Sequence, residues 1–77
     1  MLSELLKIVA DNCEVDEVTL ESDLREDLEM NSMDIINMTI DIEAKFKIRT
    51  KEKDFKNINT VADLKAYIEK LAKIEIV

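Results

Sequence analysis

Seventy-seven residues enclose one small core, and the 47% apolar content is too high for a disordered tail despite 38% charged residues. Glycine, proline and histidine are all absent and Cys13 is the only cysteine, which excludes the usual tight hairpin turns, an intrachain disulfide and zinc centres built from cysteine and histidine. The net charge of −7 repels nucleic-acid phosphates, and the chain has neither a leader-like segment nor a membrane-length apolar run, so a soluble cytoplasmic protein without nucleic-acid or membrane partners is expected.

Leu2, Leu5, Leu6 and Val9 follow the spacing of one helical face and predict a first helix from about Leu2 to Asn12. Cys13, just beyond it, reads as a small apolar packing residue. A long connection follows from Cys13 to Asn31, with Val15, Val18, Leu20, Leu24 and Leu28 scattered among acids. Loops of that length in small domains are usually functional or carry turns of their own, and the aliphatics predict that this one is pinned over the core.

A second helix is expected from about Ser32 to Phe46, capped by Asn31, with Ile35, Met38, Ile42 and Phe46 as its core stripe. Met33, Ile36 and Ile40 form a second stripe, either further core or an exposed ridge where partners dock. Ser32 falls at the helix start, where free backbone N–H groups and the helix dipole favour an attached phosphate. With no histidine to activate it, Ser32 reads as an attachment point and not as a catalyst.

Residues 46–50 alternate in polarity but have no second strand to pair with, so they read as extended loop, and Phe55 to Asn59 as one short helical turn. Thr60 caps a last helix, with Asp63 at the capping-box position and Val61, Leu64, Ile68 and Leu71 as the buried stripe, Tyr67 at its edge. Composition and periodicity together give an all-α bundle of three main helices plus one short helix, with a long first loop. Charge is segregated along it: residues 14–34 hold nine acids against one base, Arg25, whereas residues 45–56 hold six bases against two acids. An anionic pole of this kind steers basic protein partners.

At Glu17-Val18-Thr19, Leu24, Glu26-Asp27-Leu28, Asn31-Ser32-Met33-Asp34, Glu43, Phe46, Ile48, Ile58 and Thr60-Val61 the chain resembles the acyl carrier proteins, small acidic helical bundles bearing acyl groups on a 4′-phosphopantetheine arm. The resemblance spans nearly the whole chain and implies a single acyl-carrier-type domain, 1–77, with the fold of a four-helix bundle. It places the arm, taken from coenzyme A, on Ser32, flanked by Asn31 and Met33. It implies no catalytic residues, no metal and no enzymatic activity of the chain's own. The implied partners are a phosphopantetheinyl transferase (holo-carrier synthase), the acyl cargo, and acyl-transferring and condensing enzymes of fatty acid, polyketide or related biosynthesis, whose basic patches dock on Asp34, Ile36, Asn37, Ile40, Asp41 and Glu43. A monomer is implied, with Met30, Met38 and Ile42 as candidate lining for an acyl chain.

The chain departs from the family pattern at several points. Asn31 stands for the usual aspartate before the serine, Met33 for leucine, Glu29-Met30 for small residues, and Asn37 for a common recognition glutamate. Lys47, Arg49, Lys53 and Lys56 reverse charges that are often acidic. These differences suit a specialised carrier with its own partners, and the cargo could equally be a D-alanyl or aminoacyl group. A non-modified acidic helical interaction module is the alternative from another class. A calcium-binding loop is a weak third, since the D-x-D-x-D-G spacing is missing.

Overall fold

The computed structural model describes residues 1–77. It is all-α: α1 (Leu2–Asp11), α2 (Ser32–Phe46), a 3₁₀ helix (Glu52–Asn57) and α3 (Val61–Ala72). The only extended pairing is an isolated antiparallel bridge between Asp23 and Thr60. Three main helices, a short fourth and a long first loop are thus the observed architecture. The short helix starts three residues and ends two residues earlier than the sequence predicts, because Lys51 is extended and opens it while Ile58 is extended and closes it.

The core draws on every element. Leu5 and Val9 of α1, Met38 and Ile42 of α2, and Val61, Leu64 and Ile68 of α3 are buried, together with Phe55 of the 3₁₀ helix. Ile35 and Phe46 pack on it partly buried, as does Cys13. Leu71 differs from expectation: it is 39% exposed. The chain reverses at left-handed Lys73, Ile76 donates its N–H to Glu69 at 2.8 Å, and Ile76 is the buried residue of the tail. Leu2 N–H and the terminal ammonium both donate to the Val77 carbonyl, which closes this end of the bundle.

The long loop is core and not cover. Leu24, Leu28 and Met30 are buried within it. The Asp23 side chain accepts from the N–H groups of Arg25 and Glu26, and the Asp23 carbonyl from those of Asp27 and Leu28, so a compact turn forms without glycine. The loop is then stitched to the start of α3: Leu24 N–H donates to Asn59, Val61 N–H to Ser22 and Ala62 N–H to Leu20. Arg25, the one base of the segment, reaches the Ile58 and Phe55 carbonyls at 3.0 Å each. Both carbonyls lie at the end of the 3₁₀ helix, where that of Phe55 also accepts from Ile58 N–H.

α3 begins on a complete capping box, with Thr60 Oγ1 accepting from Asp63 N–H and the Asp63 carboxylate accepting from Thr60 N–H. Thr60→Ala is therefore expected to lower stability by about 1 kcal/mol in urea denaturation, the usual effect of removing such a cap.

Four carboxyls lie below their ordinary range, each through a named partner: Glu4 through Lys45, Glu43 through Thr50, Asp63 through the Thr60 and Asn59 N–H groups, and Glu69 through Ile76 N–H and then Lys65. A depressed folded-state pKa adds stability that is complete above the unfolded value and is lost as pH falls through the folded one. The thermal midpoint should therefore drop on acidification below about pH 4. Glu69→Gln should flatten that acid limb, and an unchanged limb would contradict the assignment.

Candidate functional site

Ser32 is the first residue of α2 and is exposed. The cap behind it is more complete than the sequence indicated: Asn31 Oδ1 accepts from Asp34 N–H at 2.9 Å, and Asp34 Oδ2 accepts from Asn31 N–H at 3.1 Å. The signal was present in Asp34, an acid at the third helical position. Ile35 N–H donates to the Asn31 carbonyl, whereas no protein group accepts from the N–H groups of Ser32 and Met33. Two free donors therefore sit beside an exposed hydroxyl at the positive end of a fifteen-residue helix. A phosphate ester on Ser32 would be held there by direct N–H bonds and by the helix dipole.

The start of α3 offers no such arrangement. Its first two N–H groups donate to the loop carbonyls of Ser22 and Leu20, and the third to Thr60. The hydroxyl of Ser32 has no side-chain base beside it, and the nearby Asp34 carboxylate is committed to the cap. Any activation of this hydroxyl would have to come from outside the chain.

The remaining residues expected on a docking face are divided by the structure. Met33, Ile36 and Ile40 form the exposed ridge, at 62%, 43% and 56% exposure, so the second stripe is not core. Asn37 is exposed beside it and Asp41 accepts from Asn12, the residue that ends α1, at 3.0 Å. Glu43 is half-buried, its carboxylate occupied by Thr50.

Two hollows flank α2. The larger, about 580 Å³, lies between the end of α1 and the start of α2 and is faced by Asp11, Glu14, Glu29 and Asp34. Its acids oppose an anionic group, and it lies across α2 from Ser32. The smaller, about 190 Å³, is a crevice between α2 and the 3₁₀ helix, lined by Ile35, Ile36, Thr39, Thr50, Glu52 and Phe55. At 100° per residue, Ser32, Ile35, Ile36 and Thr39 share one side of α2, so the crevice opens on the same side of the helix as Ser32. Met30, Met38 and Ile42, the residues expected to line the bundle interior, are buried in the core and none of them lines this crevice. The crevice is a tertiary product of α2 and a segment about fifteen residues on, which periodicity within α2 does not reveal. No group of three or more Cys, Asp or Glu side chains is placed to hold a metal ion.

A family profile described as a phosphopantetheine attachment site matches residues 3–68. An acyl carrier protein of Thermotoga maritima is 35% identical over 72 residues, spanning 91% of this chain and 89% of that protein. An acyl carrier protein of an Exiguobacterium species is 38% identical over 56 residues, spanning 73% and 71%.

Proposed function

The chain belongs to the acyl carrier protein family, and on that footing we propose that Ser32 bears its 4′-phosphopantetheine arm. The protein is a carrier and not an enzyme: it presents acyl groups to biosynthetic enzymes, and the arm supplies the thiol on which the acyl group travels as a thioester. What the chain itself contributes is anchorage and recognition. The observation that carries the Ser32 assignment is its exposed hydroxyl beside the two unpaired N–H groups of α2.

A phosphopantetheinyl transferase is the partner that loads Ser32 from coenzyme A: the hydroxyl oxygen bonds to the phosphorus that bears the pantetheine, and the pyrophosphate bond breaks to release adenosine 3′,5′-bisphosphate. It must also take the hydroxyl proton, because no side chain of the carrier is positioned to accept it. Asn31 keeps the helix capped and, unlike an aspartate, adds no charge next to the incoming phosphate. Enzymes that exchange cargo meet the apolar ridge of Met33, Ile36 and Ile40, while the acidic segment 14–34 steers their basic patches into place. Asp34, Asn37 and Asp41 border that ridge and set its polar rim, and Glu43 faces the crevice wall instead. The crevice between α2 and the 3₁₀ helix receives the near end of the acyl chain.

Residues 1–77 act in this reading as one monomeric, cytoplasmic carrier domain. The free Cys13 thiol suits a reducing compartment, and no helix is long and apolar enough to cross a membrane. The test is intact mass before and after incubation with coenzyme A and a broad-specificity transferase. Gain of one phosphopantetheine unit is expected, and a folded protein that gains none with any transferase would sink the assignment.

A further inference from the structure

Glu43 belongs to the face that the family resemblance gives to partner enzymes, yet its carboxylate is spent inside the molecule. A single oxygen, Oε2, accepts from Thr50 N–H at 2.7 Å and from the Thr50 hydroxyl at 2.9 Å. Both bonds go to an ionised acceptor, the stronger kind of hydrogen bond, and the N–H bond is the main reason the carboxyl is held below its usual range.

Thr50 is also a wall of the crevice, where it stands with Glu52 and Phe55 opposite Ile35, Ile36 and Thr39 of α2. The wall is held from behind by α3. Tyr67 donates its hydroxyl to Asp54 at 2.7 Å and accepts from Lys51 N–H at 3.2 Å, and its ring meets Phe55 edge-on with centroids 5.7 Å apart. Tyr67 therefore ties the wall to α3, whereas the Glu43–Thr50 pair ties it to α2, across whose face the crevice opens.

We propose that the Glu43–Thr50 clasp sets how far the 3₁₀ segment stands from α2, and thereby the length of acyl chain the carrier shelters. The proposal rests on the reading that cargo borne by Ser32 lies in this crevice. At about 190 Å³ the crevice is somewhat larger than an engineered cavity of about 150 Å³ that holds benzene. With the clasp closed it should take a chain of about six carbons, the carbon count of the benzene that a cavity of about 150 Å³ holds. Releasing the clasp frees the wall to swing on Tyr67 and admits longer chains.

The experiment loads the protein from a series of acyl-coenzyme A thioesters, acetyl to decanoyl, using a broad-specificity transferase. Mass confirms each product, and circular dichroism gives each melting temperature. A sheltered chain buries apolar surface and raises the midpoint. In the parent protein the midpoint should climb with chain length and level off near the six-carbon chain. In Glu43→Ala the levelling-off should move to longer chains, with Thr50→Val, which keeps the N–H bond, falling between. Identical length dependence in all three proteins, or a parent midpoint that climbs through decanoyl, would overturn the proposal.

Loading is read separately by mass, so a failure to load counts against the carrier reading itself. In the unloaded protein, amide exchange at Thr50 should quicken in Glu43→Ala. Unchanged exchange would show that no clasp exists.

Discussion

Ser32→Ala is expected to abolish phosphopantetheine loading completely while changing unfolding free energy by less than about 0.5 kcal/mol. The two halves of this expectation have separate physical origins. Stability is preserved because Ser32 is exposed, lies one residue inside the cap and contributes no hydrogen bond to it. The cap is made by Asn31 and Asp34, and alanine is the best helix former at an exposed helical position. Loading is lost because the chain has only three serines, Ser3, Ser22 and Ser32, and the other two are unsuitable. Ser22 is buried, with its oxygen accepting from Thr19 N–H. Ser3 is exposed in the first turn of α1, but it stands next to the terminal ammonium and outside the Asn31-Ser32-Met33-Asp34 stretch that carries the family resemblance. Intact mass after transferase treatment, beside a urea unfolding curve, reads both halves at once. A variant that still gains one phosphopantetheine unit would relocate the site to Ser3 and undo the reading of α2.

The same contrast explains what was legible in the sequence. The limits of α2 were readable because a strong N-cap type, Asn31, precedes an apolar stripe that runs to Phe46, and the structure gives the helix those limits. α3 was readable from Thr60 and Asp63 for the same reason. Each of these signals acts within a few residues. The features that periodicity missed act over long separations. Arg25 bonds carbonyls about thirty residues away, and nothing in an acidic loop marks its one base for that task. Ile76 returns from the tail to the core, while Leu71 is more exposed than its spacing implied. Glu43 has the spacing of a docking residue, but its side chain is claimed by Thr50 seven positions later. The crevice exists only once α2 and the 3₁₀ segment are side by side, so the crevice-lining role of Ile35, Thr39 and Phe55 was hidden where the exposure of Ser32 was not.

The loop that carries the chain into Ser32 provides the second large effect. Leu24→Ala is expected to destabilise the protein by about 2–5 kcal/mol, as much as a substitution in the middle of a buried helix. Loops ordinarily tolerate such changes, and the aliphatics of this one predicted only that it is pinned over the core. The structure instead leaves Leu24 without exposure, within the same cluster as Met38, Ile42 and Leu64. Its N–H donates to the Asn59 carbonyl at 2.8 Å and its carbonyl accepts from Met30 N–H at 3.0 Å. A cavity at this position therefore loosens two junctions, the approach to α3 and the approach to Asn31. Because small domains hold only about 5–15 kcal/mol in total, the loss would take a large share of the stability. Val18→Ala, half-buried in the same loop, should cost clearly less, since its side chain is already partly solvated. Urea unfolding of the two variants separates a loop that is core from one that merely drapes over it: equal, small shifts for both would mean that the loop only drapes. A large shift for Leu24 alone would mean that Ser32 is positioned by the hydrophobic core itself, through six residues of loop that end on the cap of α2.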